Sequence, residues 1–189
     1  MPVDQLDLFG RSEAAPGGAV IEGDYRYLLW RTLPENPTGG TVLWVLLNPS
    51  IADAVDPDPT LTRVLGFSRG FGFGRVEVVN LFAAISTKPE EMERFEDPVG
   101  PKNDETILAA GRRADKVIVG WGAHKGTEPE RRAKVVKLLL TEEVGCHLWC
   151  LGLTKHHHPA HPLYLAADTQ LVAFSMGASI GGGRHREAT

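Results

Sequence analysis

Thr41-Val42-Leu43-Trp44-Val45-Leu46-Leu47 is an unbroken apolar run of strand length that stops at Asn48-Pro49-Ser50. A strand with one wet face alternates apolar and polar residues. An unbroken run means that both faces are buried, as in a parallel sheet covered by helices. Reading outward, Tyr25–Trp30 is a second strand on the amino-terminal side. On the other side Asp58-Pro59-Thr60 opens a helix, with Asp58 as N-cap and Pro59 in the first helical position. Leu61, Val64, Leu65 and Ser68 follow at helical spacing. Arg75–Leu81 then reads as a strand, Pro101–Arg113 as a helix with Ile107, Leu108 and Gly111 on one face, and Lys116–Trp121 as a strand. Thr127 opens another helix, with Glu130 three residues on as in a capping box. Cys146–Leu151 and Leu171–Phe174 close the series as strands. Strands alternating with helices predict an α/β fold, a three-layer α/β/α sandwich around a mostly parallel central sheet.

The 189 residues suit one domain. Apolar residues make up 42% and charged residues 23%, which excludes a disordered or fibrous chain. Twenty basic against 24 acidic residues give a net charge of −4, which excludes a strongly basic nucleic-acid coat but not a local basic patch. No apolar stretch approaches the roughly 20 residues of a membrane span, so no membrane partner is expected. The opening MPVDQLDLFG has no basic n-region and does not read as a secretory signal. Cys146 and Cys150 lie four residues apart. On one strand that separates them by roughly 13 Å, too far for a disulfide, so they read as buried thiols in a reducing cytoplasm. Residues 1–20 read as a tail, with Gly10–Val20 as a flexible linker, residues 21–175 as the domain, and 176–189 as a frayed end.

Right-handed crossovers place the ends of parallel strands on one side of the sheet, and ligands bind there. The predicted strand ends are polar and unusual. They carry Asn48, Pro49, Ser50 and Asp53; Asn80 and Phe82; Trp121 and His124; and Lys155 followed by His156-His157-His158 and His161-Pro162. Two amides and two imidazoles on one rim would make a polar site with no obvious metal and no cofactor. Each Asn also has an ordinary use as a turn former. The three adjacent histidines are of a ligand type for zinc, nickel or copper, but adjacent histidines in a loop rarely ligate one ion together, and no metal site is assigned. Asp53, Asp56 and Asp58 form an alternative set that could hold Mg²⁺ for phosphodiester cleavage. Gly66, Gly70, Gly72 and Gly74, interleaved with Phe67, Phe71 and Phe73 and near Arg63, Arg69 and Arg75, are either a helix end with core phenylalanines or a basic, aromatic surface for nucleic acid.

Gln5-Leu6-Asp7-Leu8-Phe9 resembles the bacterial sliding-clamp-binding pentapeptide, Gln-Leu-(Ser or Asp)-Leu-Phe, at all five positions. The resemblance implies that Leu8 and Phe9 enter an apolar pocket of the clamp while Gln5 hydrogen-bonds beside it. The same apolar residues could instead pack on the protein's own sheet. Tethering to a clamp would raise the local concentration of the domain at DNA without a basic surface.

From Tyr25 to about Phe174 the chain resembles a bacterial and phage family known only as a domain of unknown function. The blocks that carry the likeness are Leu47-Asn48-Pro49-Ser50 with Ala52-Asp53, Asp58-Pro59-Thr60, Val79-Asn80-Leu81-Phe82, Asp97-Pro98-Val99-Gly100, Trp121-Gly122-Ala123-His124, and Leu151–Lys155 followed by His161–Tyr164. Their order is distantly similar to the uracil-DNA glycosylase superfamily, especially its mismatch-specific branch. That resemblance implies that Asn48 positions an attacking water, that Asn80 reads a pyrimidine edge, and that His161-Pro162 stabilises the departing base. Ser50 stands where that superfamily has Gly, and Leu163-Tyr164 where it has Ser-Pro. A glycosylase must extrude its base, and Phe82 or Phe67 could stack on it. The expected function is a metal-independent, glycosylase-like enzyme acting on DNA and recruited by the sliding clamp. The rivals are a non-catalytic, clamp-tethered DNA-binding module, a metal-dependent nuclease, and an enzyme of free nucleotides or nucleosides.

Overall fold

The computed structural model describes residues 17–50, 59–86, 95–123 and 127–175. The elements run β1 (Gly17–Glu22), β2 (Tyr25–Thr32), β3 (Thr41–Leu46), α1 (Pro59–Gly70), β4 (Arg75–Asn80), α2 (Asn103–Arg113), β5 (Lys116–Val119), α3 (Thr127–Leu138), β6 (Leu148–Cys150) and β7 (Val172–Ala173). One sheet holds all seven strands in the order β1-β2-β4-β3-β5-β6-β7. The pairings β3–β4, β3–β5 and β5–β6 are parallel; β1–β2, β2–β4 and β6–β7 are antiparallel. The sheet is therefore mixed rather than mostly parallel, with a parallel block at its centre and antiparallel strands at both margins. At one margin the cause is local. Only Gly23 and Asp24 separate β1 from β2, and so short a turn, with Gly23 at φ 55°, returns the chain antiparallel. Gly17–Val20, expected in a linker, lie in β1.

The decisive run behaves as its composition requires. Leu43 and Val45 pack in a cluster with Ile107 and Ala110 of α2 and Ala133 and Val136 of α3. Val42, Trp44 and Leu46 pack in a second cluster with Leu61, Val64 and Phe67 of α1. Alternate residues of one strand point to opposite faces, so β3 is covered by α1 on one side and by α2 and α3 on the other. The only polar atom that Trp44 brings in is satisfied: Nε1 donates to Ser68 Oγ at 3.0 Å, and Ser68 Oγ donates to Val64 O at 2.8 Å. Pro59 is the first residue of α1, whereas Asp58, the expected cap, lies outside the described residues.

Boundaries move where turns intervene. The helix expected from Pro101 starts at Asn103, because Gly100 (φ 85°) turns the chain and Asn103 N–H bonds back to Gly100 O at 3.1 Å. β6 begins after Cys146, whose N–H closes onto Leu140 O at 2.9 Å. Both cysteines are free thiols; Cys150 is buried, Cys146 half-buried, and burial pushes both thiol pKa values up. The Gly/Phe/Arg segment is a helix end and turn. Phe67 is buried and stacks on Phe71 at 6.1 Å, Gly72 has φ 83°, and Arg69 and Arg75 pair with Glu35 and Glu77. No helix among the described residues is long and apolar enough to cross a membrane.

Candidate functional site

β3 and β5 are neighbours, but the connection after β3 leads to β4 on one side and the connection after β5 leads to β6 on the other. Such divergence opens a crevice beyond the strand ends. A cleft of about 530 Å³ lies there, and Asn48, Ser50, Asn80, Trp121 and His161 all line it. Residues up to 113 positions apart in the chain are thus gathered as the strand-end argument expects.

Asn48 follows β3 directly. Its Nδ2 donates to Ser86 O at 2.8 Å and to Pro49 O at 3.3 Å, which assigns the amide orientation and leaves Oδ1 as the acceptor without a described partner. Ser86 N–H in turn donates to Pro49 O at 3.0 Å, so the Asn48-Pro49 turn is stitched to the segment after β4. Pro49 is buried and acts through this carbonyl rather than by lining the cleft. Asn80 ends β4 and is 2% exposed. Its Nδ2 has no hydrogen-bond partner among the described residues, nor has Trp121 Nε1, also 2% exposed. Buried donors of this kind are rare in proteins because each costs about 1–3 kcal/mol. Both residues line the cleft, although the two nitrogens themselves are closed to solvent.

His161 reaches the cleft through a close contact. Gly122 has φ 77°, and a Cβ there would lie 3.1 Å from His161 Cβ; a Cβ on Gly120 would lie 3.2 Å from Pro162 Cδ. The glycines flanking Trp121 therefore let the His161-Pro162 segment approach the end of β5. Leu163 N–H donates to His161 Nδ1 at 3.3 Å, so in the neutral ring the proton sits on Nε2. Burial pushes this imidazole's pKa below its ordinary 6.5. His161 is thus held as a neutral donor through Nε2.

Not every expected residue is here. Phe82 is buried in the core on the α2/α3 face with Val20 and Tyr27, and Phe67 is on the buried face of α1; neither lines the cleft, so stacking by these rings is corrected. Phe82 continues the β-type pairing past β4, its N–H on Leu47 O at 3.0 Å, and this carries its ring into the core. Lys155 is exposed in the turn in which His157 N–H returns to Thr154 O at 2.9 Å; only Thr154 of that turn lines the cleft. His124, Asp53, Asp56, Asp58 and Gln5–Phe9 lie outside the described residues. Among the described residues no group of three or more His, Cys, Asp or Glu could hold a metal ion.

Sequence reasoning missed Arg26, 5% exposed and lining the cleft. β2 runs antiparallel to β4, so it begins where the parallel strands end; searching only strand ends passes over it. The available signal was an arginine inside the apolar run Tyr25–Trp30. Arg26 N–H donates to Ala83 O at 2.9 Å, which joins it to the same segment that holds Asn48. No carboxylate is among the described residues lining the cleft. Tyr164, 83% exposed, forms its lip, with its ring 5.7 Å from that of His161.

Residues 26–163 match the family described as "Protein of unknown function (DUF1643)". The chain belongs to this family. The DUF1643 match begins at Arg26 and ends at Leu163, so it contains Asn48, Asn80, Trp121 and His161. Beyond the DUF1643 assignment, no curated protein and no solved structure matches the chain.

Proposed function

We propose that the cleft receives a nucleobase turned out of DNA, and that the protein is a glycosylase-like enzyme which breaks the bond between base and sugar. The observation that carries this reading is the meeting of Asn48, Asn80 and His161 around one cleft with complementary hydrogen-bonding states. A carboxamide presents a donor and an acceptor side by side, which suits the edge of a base, and Asn80 keeps its donor unused. In the scheme the C–N bond breaks and its electron pair leaves with the base. Water forms the new C–O bond and gives up a proton to the departing base or solvent. Asn48 Oδ1 accepts a hydrogen bond from that water and orients it. His161 Nε2–H and the charge of Arg26 stabilise the negative charge developing on the base. The scheme calls on no metal ion and no organic cofactor. Gln5-Leu6-Asp7-Leu8-Phe9 supports recruitment by a sliding clamp.

The test is incubation with duplex and single-stranded DNA bearing uracil, mismatched or modified bases, with and without EDTA. Abasic sites that form in EDTA and fall about 10²–10³-fold in Asn48→Ala are expected. Strand cleavage abolished by EDTA would instead establish the nuclease reading, and binding without product the accessory module. Turnover confined to free nucleosides would move the substrate out of DNA. Leu8→Ala with Phe9→Ala should abolish clamp pull-down and leave the domain folded; undiminished pull-down removes the tether from the proposal.

A further inference from the structure

Asn80, at the end of β4, lines the cleft with its Nδ2 unbonded, whereas the main-chain carbonyls there are crowded with bonds. Asn103, the first residue of α2 and 0% exposed, donates through Nδ2 to Asn80 O and to Leu81 O, both at 3.1 Å. Arg132 of α3, 5% exposed, donates through Nε to Leu81 O at 2.7 Å, and its Nη2 is ion-paired with Asp104 of α2. Two consecutive carbonyls thus take three hydrogen bonds from buried side chains of two helices. The amides of the same turn are also used: Leu81 N–H donates to Leu46 O at 2.9 Å and Phe82 N–H to Leu47 O at 3.0 Å. The latter contacts join the turn to the residues immediately before Asn48.

We infer that Asn103 and Arg132 are positioning residues that hold Asn80 at the angle at which it meets a ligand. The argument turns on Asn80 itself. Its Nδ2 has no described partner, so its own hydrogen bonds do not orient it. Its direction depends on the main chain from which it springs, and that main chain is held by α2 and α3. A carboxamide fixed from behind keeps its recognition atoms free and still loses little freedom on binding, which is what preorganisation requires. The inference rests on the base-binding reading for its consequence, but its physical content can be measured without a ligand.

The experiment uses the full chain with Asn103→Ala and, because that variant could fold poorly, Arg132→Lys, which retains the charge facing Asp104 but lacks the Nε donor. Thermal melting verifies that each is folded. The direct readout is the ¹⁵N relaxation order parameter of the Asn80 side-chain NH₂. It is expected to fall from near 0.8 toward 0.6 or below in both variants, while that of Asn48, anchored on Ser86, stays unchanged. An undiminished value for Asn80 in the folded variants overturns the inference. The functional readout is a cycle with Asn80→Ala on the excision assay, or on titration with uracil if no excision occurs. Asn103→Ala should lower the response about tenfold in the native background and not at all when Asn80 is already Ala. Equal losses in both backgrounds would mean a merely structural role. If the native chain neither excises nor binds a base, the functional reading fails while the order parameters still decide the positioning claim.

Discussion

Glu77 and Asn80 sit three residues apart on β4, 1% and 2% exposed, and their polar atoms are treated in opposite ways. Glu77 accepts from Arg75 Nε at 3.1 Å through one oxygen and from Arg113 Nη2 at 2.9 Å through the other. Asn80, at the end of the same strand, keeps a buried Nδ2 with no described partner. A polar group inside a protein is normally bonded, because leaving it bare costs more than the bond itself contributes. The contrast separates a residue whose polar atoms are all bonded within the fold from one whose Nδ2 is not, and on the proposed function that nitrogen is kept for a ligand.

The sharpest way to break this contrast is to remove each residue in turn. Asn80→Leu should cut excision or base binding by about 10²-fold or more while leaving stability unchanged or raised by up to about 1 kcal/mol, because it removes an unsatisfied donor. Urea denaturation beside the abasic-site assay measures both; a loss of stability would show that Asn80 is structural. Glu77→Ala should do the reverse and destabilise by about 2–3 kcal/mol. That is below the roughly 3–5 of a fully buried pair, because the side chains of Arg75 and Arg113 are 24% and 38% exposed and can reach water. A Glu77→Ala protein as stable as the native one would remove the comparison altogether.

Gly122→Ala sharpens the contrast at the opposite wall. The left-handed backbone costs an alanine about 1–2 kcal/mol, and the new Cβ would press on His161 at 3.1 Å. Denaturation should report that loss, and the His161 ring resonances should shift; unmoved resonances would dissociate Gly122 from the site. The smallest effect concerns pH. Burial lowers the His161 pKa in the folded state below the 6.5 of the unfolded chain, so the unfolded chain binds the proton more readily. This contribution to stability is complete above pH 6.5, declines as pH falls through the lowered folded pKa, and is level below it. His161→Gln should flatten that part of the stability curve measured by urea denaturation between pH 7.5 and 5; an unaltered curve would mean that another group titrates.

Much of the cleft's lining was legible because the strand-end rule needs only strands and their order of turns. Asn48, Asn80 and Trp121 each follow or end a recognisable apolar segment and His161 lies in the loop after β6, and the parallel centre of the sheet brings them together. Phe82 misled because a residue just past a strand can point to either side, and the pairing of its N–H with Leu47 O decides for the core. Arg26 was missed because its position depends on β2 running against β4, which nothing in the segment Tyr25–Trp30 announces. The edge strand β1 hid in a glycine-rich stretch, where low β-propensity is overridden by pairing along β2.

The apolar run, its strand length and the alternation of strand and helix patterns around it together determined an α/β domain built on a strand buried on both faces. Local chemistry likewise determined that amides and an imidazole would cluster at turns after strands. Only the tertiary structure decided which of those groups keep free hydrogen-bonding atoms, which are braced from behind, and which cation joins them. Those outcomes depend on contacts between segments distant in the chain, and a linear pattern does not carry them.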